Sequence, residues 1–86
     1  MNILTNHELK LLREQAGVMQ AEIATALNVD HSYIAKLEQG RRRITPDLDF
    51  ELRAFLLMAL KRRRATVTGL IEELAGSVAT EEEPAA

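Results

Sequence analysis

Apolar side chains recur three and four positions apart along most of this chain, the spacing that lines one face of an α-helix. Leu9, Leu12 and Ala16 set the rhythm, Ile23, Ala24 and Leu27 repeat it, and Ile34 and Leu37 repeat it again. Residues that end helices stand between the runs. Gly17 and Gly40 accept a left-handed backbone without a steric penalty, and Asn28 is one of the few other residues that tolerates it. Helix starts are marked as well. Thr5 with Glu8 three positions on forms a capping box, Leu4 is placed to staple onto Leu9, and Asp30 is placed to cap the third run through its carboxylate. The pattern predicts helices over about 6–16 and 20–27 and a third between Asp30 and Gly40.

The second and third of these, with the tight turn between them, fit within about twenty residues, which is the spacing of a helix-turn-helix. Thr45-Pro46-Asp47 opens a fourth helix, with proline at its first position and Asp47 and Asp49 near the positive end of the helix dipole. From Ala54 to Leu60 the sequence is apolar without a break, so this helix must be covered on more than one side. A domain this small covers one face; a second copy of the chain is expected to cover the other. After Lys61–Arg64, the residues Ala65-Thr66-Val67-Thr68-Gly69 weaken helix propensity and predict a break, followed by a fifth amphipathic helix over about 67–78. Leu56, Leu60, Arg63, Val67, Leu70 and Leu74 also alternate spacings of four and three, which suits one continuous helix pairing as a coiled coil. On either version residues 47–79 serve packing or dimer contacts, with Phe55, Leu56, Leu57, Leu60, Leu70 and Leu74 as the expected dimerisation residues. The expected organisation is one all-α domain over 1–79 and a disordered acidic tail over 80–86.

Composition changes the picture in two places. The chain has 86 residues and no cysteine, so neither disulfides nor thiolate metal sites reinforce a core that buries only about 60–65% of the unfolded surface. The net charge of −2 conceals an asymmetry. All eleven basic residues lie at or before Arg64 and face eight acidic ones there, giving +3, while the remainder carries five glutamates and no base, giving −5. A polyanion-facing part joined to an acidic end is the natural reading. The first ten residues hold no charged leader followed by an apolar run, and the longest apolar run falls far short of a membrane span, so a soluble, cytoplasmic protein is expected. Two histidines, two serines and no cysteine supply no activated nucleophile, metal cluster or phosphate loop, so neither catalysis nor a cofactor or metal is expected.

On the third helix Ile34 and Leu37 face inward, which leaves His31, Ser32, Ala35, Lys36 and Gln39 on the outer face, all small or hydrogen-bonding. A major groove about 12 Å wide admits such a helix and presents acceptors on guanine, a donor–acceptor pair on adenine and the thymine methyl. Lys36 can donate to guanine O6 or N7, Ser32 can donate or accept, Ala35 lets the backbone come near, and His31 can do either. Directly after this helix come Arg41, Arg42 and Arg43, positioned to run along the phosphate backbone, where contacts fix register and supply most of the salt-sensitive affinity. Tyr33 suits either packing against the domain or a phosphate contact. The Lys61–Arg64 run reads as a solvated helix end, since cations suit a helix C-terminus, and His7 reads as a surface residue.

The stretch "LREQAGVMQAEIATALNVDHSYIAKLEQGRRRITPDL" resembles the DNA-binding domains of Cro/C1-type (XRE family) helix-turn-helix regulators from about Leu9 to Leu60. That resemblance implies a five-helix lambda-repressor-like domain, here with an extended fourth helix. It implies a phosphate-reaching and bracing role for Gln20, base-reading roles for His31, Ser32 and Lys36, and a structural ion pair between Arg13 and Glu38. It also implies double-stranded DNA as partner, a dimer reading a palindromic operator as a transcriptional repressor, and a place at the nucleoid. Two features depart from the family pattern: Met19 stands where a serine or threonine usually caps the second helix, and the fourth helix with its basic run is longer. An antitoxin-like module whose C-terminal helices clasp another protein is the alternative.

Overall fold

The computed structural model describes residues 2–82. Among the described residues the chain forms four helices and no strand: α1 (Asn6–Ala16), α2 (Gln20–Leu27), α3 (His31–Glu38) and α4 (Pro46–Glu82).

Local chemistry sets the first three. At the start of α1 the Glu8 N–H donates to Thr5 Oγ1 at 3.1 Å, and the Thr5 N–H donates to the Glu8 carboxylate at 2.9 Å, a complete capping box. Gly17 ends α1 at φ 72°, which lets the Val18 N–H turn back to the Arg13 carbonyl at 3.3 Å. Met19 offers no side-chain cap to α2, yet Glu22 supplies half of a box by accepting the Met19 N–H at 2.9 Å. Asn28 ends α2 at φ 57°, and Val29 N–H bonds the Ala24 carbonyl at 2.9 Å. Asp30 does sit at the N-cap of α3, but its carboxylate makes no capping bond; its backbone carbonyl accepts the Tyr33 N–H at 3.0 Å instead.

The core lies where all four helices meet. Leu9, Ile23, Ile34, Leu37, Leu52 and Leu56 are each under 2% exposed or at that value, and full burial of each such side chain stabilises by about 1.5–3 kcal/mol. Leu4 and Ile44 close the ends of this core. The Asp49 carboxylate near the start of α4 accepts the Leu4 N–H at 2.8 Å and pairs with Arg53 at 2.9 Å, which ties the N-terminal segment to α4. That backbone N–H, followed by Arg53, holds the Asp49 carboxyl below its ordinary pKa.

Two expectations change. Among the described residues there is no fifth helix: α4 runs unbroken from Pro46 to Glu82, through the Ala65–Gly69 segment, as the continuous version has it. Weak formers there reduce propensity by about 2–3 kcal/mol in sum, but no proline interrupts the ladder, and Thr66 places its hydroxyl on the Arg62 carbonyl at 3.2 Å rather than capping a new helix. The acidic tail expected from residue 80 is also helical through Glu82, and residues 83–86 lie outside the described residues. The consequence is an elongated molecule. Its radius of gyration is 18.0 Å, where a compact chain of this length has about 12 Å.

Candidate nucleic-acid interface

Helix α3 presents two faces of different chemistry. Ile34 and Leu37 are fully buried, whereas His31, Ser32 and Gln39 are exposed and Ala35 and Lys36 are half-exposed on the outer side. No large apolar side chain stands on that outer face. Tyr33 is half-buried and packs against the core. Past the helix, Gly40 turns the chain at φ 77° and the Arg41 N–H closes on the Lys36 carbonyl at 2.9 Å. That tight exit sends Arg41, Arg42 and Arg43, all exposed, directly along the end of α3.

Two shallow depressions flank α3. One is lined by Val29, Asp30, Ser32, Tyr33, Lys36 and Arg42, so that two of the sequence-predicted base readers share a surface with a predicted phosphate contact. The other is lined by Gln20, His31, Ala35 and Gln39 together with Lys10, Arg13, Met19, Ala21 and Glu38. Lys10 was not among the residues expected from sequence. It lies on α1 one turn before Arg13, a spacing that faces both side chains the same way, and this was the available signal.

Behind the outer face runs a continuous polar chain. Arg13 Nε donates to Glu38 Oε2 at 2.5 Å and Arg13 Nη2 to Glu38 Oε1 at 3.1 Å, a two-point pairing of guanidinium and carboxylate. Gln20 Nε2 donates to the same Glu38 Oε1 at 2.9 Å, and Gln20 Oε1 lies 3.1 Å from His31 Nε2. Arg13 also donates to the Val18 carbonyl at 3.1 Å, and the Asn6 amide donates to the Glu38 carbonyl at 3.2 Å. Glu38 is 7% exposed, and its partners leave it fully satisfied. The hydrogen bond to Glu38 holds the Arg13 guanidinium pKa above its ordinary value. The result is that α1, α2 and α3 are locked through one buried carboxylate. Gln20 spends its amide on this lock and its oxygen on His31, which orients the histidine ring at the first turn of α3.

The remaining predicted residues fall elsewhere. Leu56 is buried at 2% in the core of its own domain, and Phe55 and Leu60 pack partly against that core, which removes Leu56 from any intermolecular face. Leu57, Leu70 and Leu74 are exposed. The Lys61–Arg64 run does not close a helix, because α4 continues through Glu82. Arg63 instead lays its guanidinium over Gly17, in the space that a β-carbon there would need. A cation at that place faces the carbonyl end of α1, where it is electrostatically favoured.

Residues 7–57 match the family described as a helix-turn-helix domain. No curated protein and no solved structure matches the chain.

Proposed function

The chain belongs to the helix-turn-helix domain family, and from that premise we propose that it is a sequence-specific DNA-binding transcriptional regulator, a dimeric repressor that reads a palindromic operator through α3. The observation that carries this reading is the outer face of α3. Ser32 and Lys36 stand together there, His31 and Gln39 extend the face along the helix, and Arg41–Arg43 continue beyond its end. Eight residues of helix span about 12 Å, enough to cross the base edges of one major groove. Lys36 and Ser32 contact bases, His31 contacts bases or phosphate from the first turn, and the three arginines grip the backbone. The buried lock of Arg13, Glu38 and Gln20 keeps α3 at a fixed angle to the rest of the domain, so little ordering is needed on binding. Two copies place their α3 helices in successive grooves about 34 Å apart. Such a regulator acts in the cytoplasm at the nucleoid and is a binding module rather than an enzyme.

Selection of bound fragments from a genomic library at moderate salt tests the reading. Recovery of a short, roughly palindromic site is expected; fragments bound no better than bulk DNA overturn it.

A second reading, an antitoxin-like module that binds another protein, is favoured by Phe50 and Met58, which are 74% and 61% exposed on the α4 surface. Single-chain purity after expression with each neighbouring gene product would leave it without support.

A further inference from the structure

Helix α4 extends well past its own domain. Every residue from Lys61 to Val78 is exposed. A free helix rich in Thr66, Val67, Thr68, Gly69 and Gly76 is marginal in water, because none of these is a strong helix former. Along this overhang Leu60, Arg64, Val67, Ile71, Leu74 and Val78 alternate steps of four and three, the seam of a left-handed coiled coil. This seam differs from the one that contains Leu56 and Arg63, since the fold commits Leu56 to the core and Arg63 to Gly17. Val67, Ile71, Leu74 and Val78 are 41%, 60%, 65% and 46% exposed, large apolar side chains left open to solvent.

We infer that this seam is the interface with a second copy of the chain, and that the two α4 helices run antiparallel about a two-fold axis at the height of Gly69. The charges decide the direction. A parallel, in-register pair stacks Arg64 on Arg64 within the seam and sets the whole Lys61–Arg64 turn level with its own image, like on like. Reversing one helix about Gly69 sets Leu60 against Val78, Arg64 against Leu74 and Val67 against Ile71. It also brings Arg64 of each copy to within about 3 Å, along the helix axis, of the height of Glu72 and Glu73 of the other. Leu60 then meets Val78 and Val67 meets Ile71, apolar on apolar, and opposite charges share a level. Arg64, the one charged residue within the seam, lies opposite Leu74 of the other copy instead of its own image, with Glu72 and Glu73 at its level on the outer side of that helix. The centres of the two domains, near Leu56, come to lie about 40 Å apart along the helices, close to the spacing of about 34 Å between successive major grooves. Such a pair supplies the dimer of the proposed function and rests on that reading for its use, but its formation is measured without DNA.

The chain has no native cysteine, so introduced cysteines report cleanly. Full-length Arg64→Cys and Leu74→Cys are oxidised separately and as an equimolar mixture, beside sedimentation of the unmodified chain at tens of micromolar. The antiparallel seam predicts a sedimenting dimer and a cross-link in the mixture between the two variants. Each variant alone stays unlinked, since identical positions lie about 15 Å apart, beyond disulfide reach. Ile71→Asp then gives a monomer whose Tyr33 fluorescence still shows a folded domain. A monomeric unmodified chain overturns the inference. Cross-linking of Leu74→Cys with itself shows a parallel pair and overturns it, as does a dimer that links in neither experiment or that survives Ile71→Asp. Loss of DNA binding with the dimer intact counts against the proposed function and leaves the seam standing.

Discussion

Replacing Arg13 by methionine tests whether the buried carboxylate of Glu38 is the joint that holds α3. The Glu38 side chain is 3% exposed and that of Arg13 is 14% exposed, so the pair lies out of reach of most solvent screening. Removing the guanidinium deletes two bonds to Glu38 and one to the Val18 carbonyl, leaving the carboxylate with the Gln20 amide alone among its side-chain partners. Breaking a buried pair from one side costs about 3–5 kcal/mol, because the surviving charge stays desolvated. A domain of this size has about 4–13 kcal/mol in total, so the loss is a large share of it. Replacing both partners, Arg13→Met with Glu38→Met, removes the stranded charge and is expected to recover most of the stability. Urea unfolding followed by Tyr33 fluorescence is the suitable assay. The chain has one tyrosine and no tryptophan, and Tyr33 packs on the core, so the signal reports the domain and not the overhang of α4. A loss below about 1 kcal/mol in the single variant, or a double variant no more stable than the single, refutes the reasoning.

Three further outcomes are expected. Lys36→Ala reduces discrimination against mismatched sites by about 1–3 kcal/mol, whereas Arg42→Ala weakens binding to all sequences and lowers the salt slope by about 0.9; titrations at several salt concentrations separate the two. Asp49 has a folded pKa below its unfolded value, so its contribution is present above about pH 4 and disappears as pH falls through the folded pKa. Asp49→Asn is therefore less stable than the parent at neutral pH, and the gap closes in acid unfolding series; a gap that is constant with pH contradicts the assignment. Gly17→Ala destabilises by more than about 1 kcal/mol, since it forces a β-carbon into a left-handed position and displaces Arg63, and Arg63→Ala recovers part of that loss in a double-mutant cycle.

Much of the first half of the fold is legible because its signals are local. Thr5, Glu8, Gly17, Asn28 and Gly40 each act within a few residues, and the structure places the helix ends where these side chains mark them. Asp30 shows the limit of such signals, for its backbone serves the α3 terminus while its carboxylate makes no cap bond. The Arg13–Glu38 pair joins α1 to α3 and leaves no trace in local pattern; it came from family resemblance. Helix α4 is legible only in part. Its periodicity supports more than one stripe, and only the packing of α1 and α2 decides that Leu56 turns inward and Arg63 covers Gly17. Lys10 belongs to no motif and joins Gln20, His31 and Gln39 only through the angle between α1 and α3.

The central claim is that the outer face of α3 reads bases in a major groove. Methylation interference at guanine N7 on a selected site tests it most directly, because N7 lies in that groove. Interference at guanines within each half-site, lost at one position in Lys36→Ala and retained in Arg42→Ala, is the expected result. Binding that tolerates methylation at every guanine, or a pattern unchanged by Lys36→Ala, contradicts it.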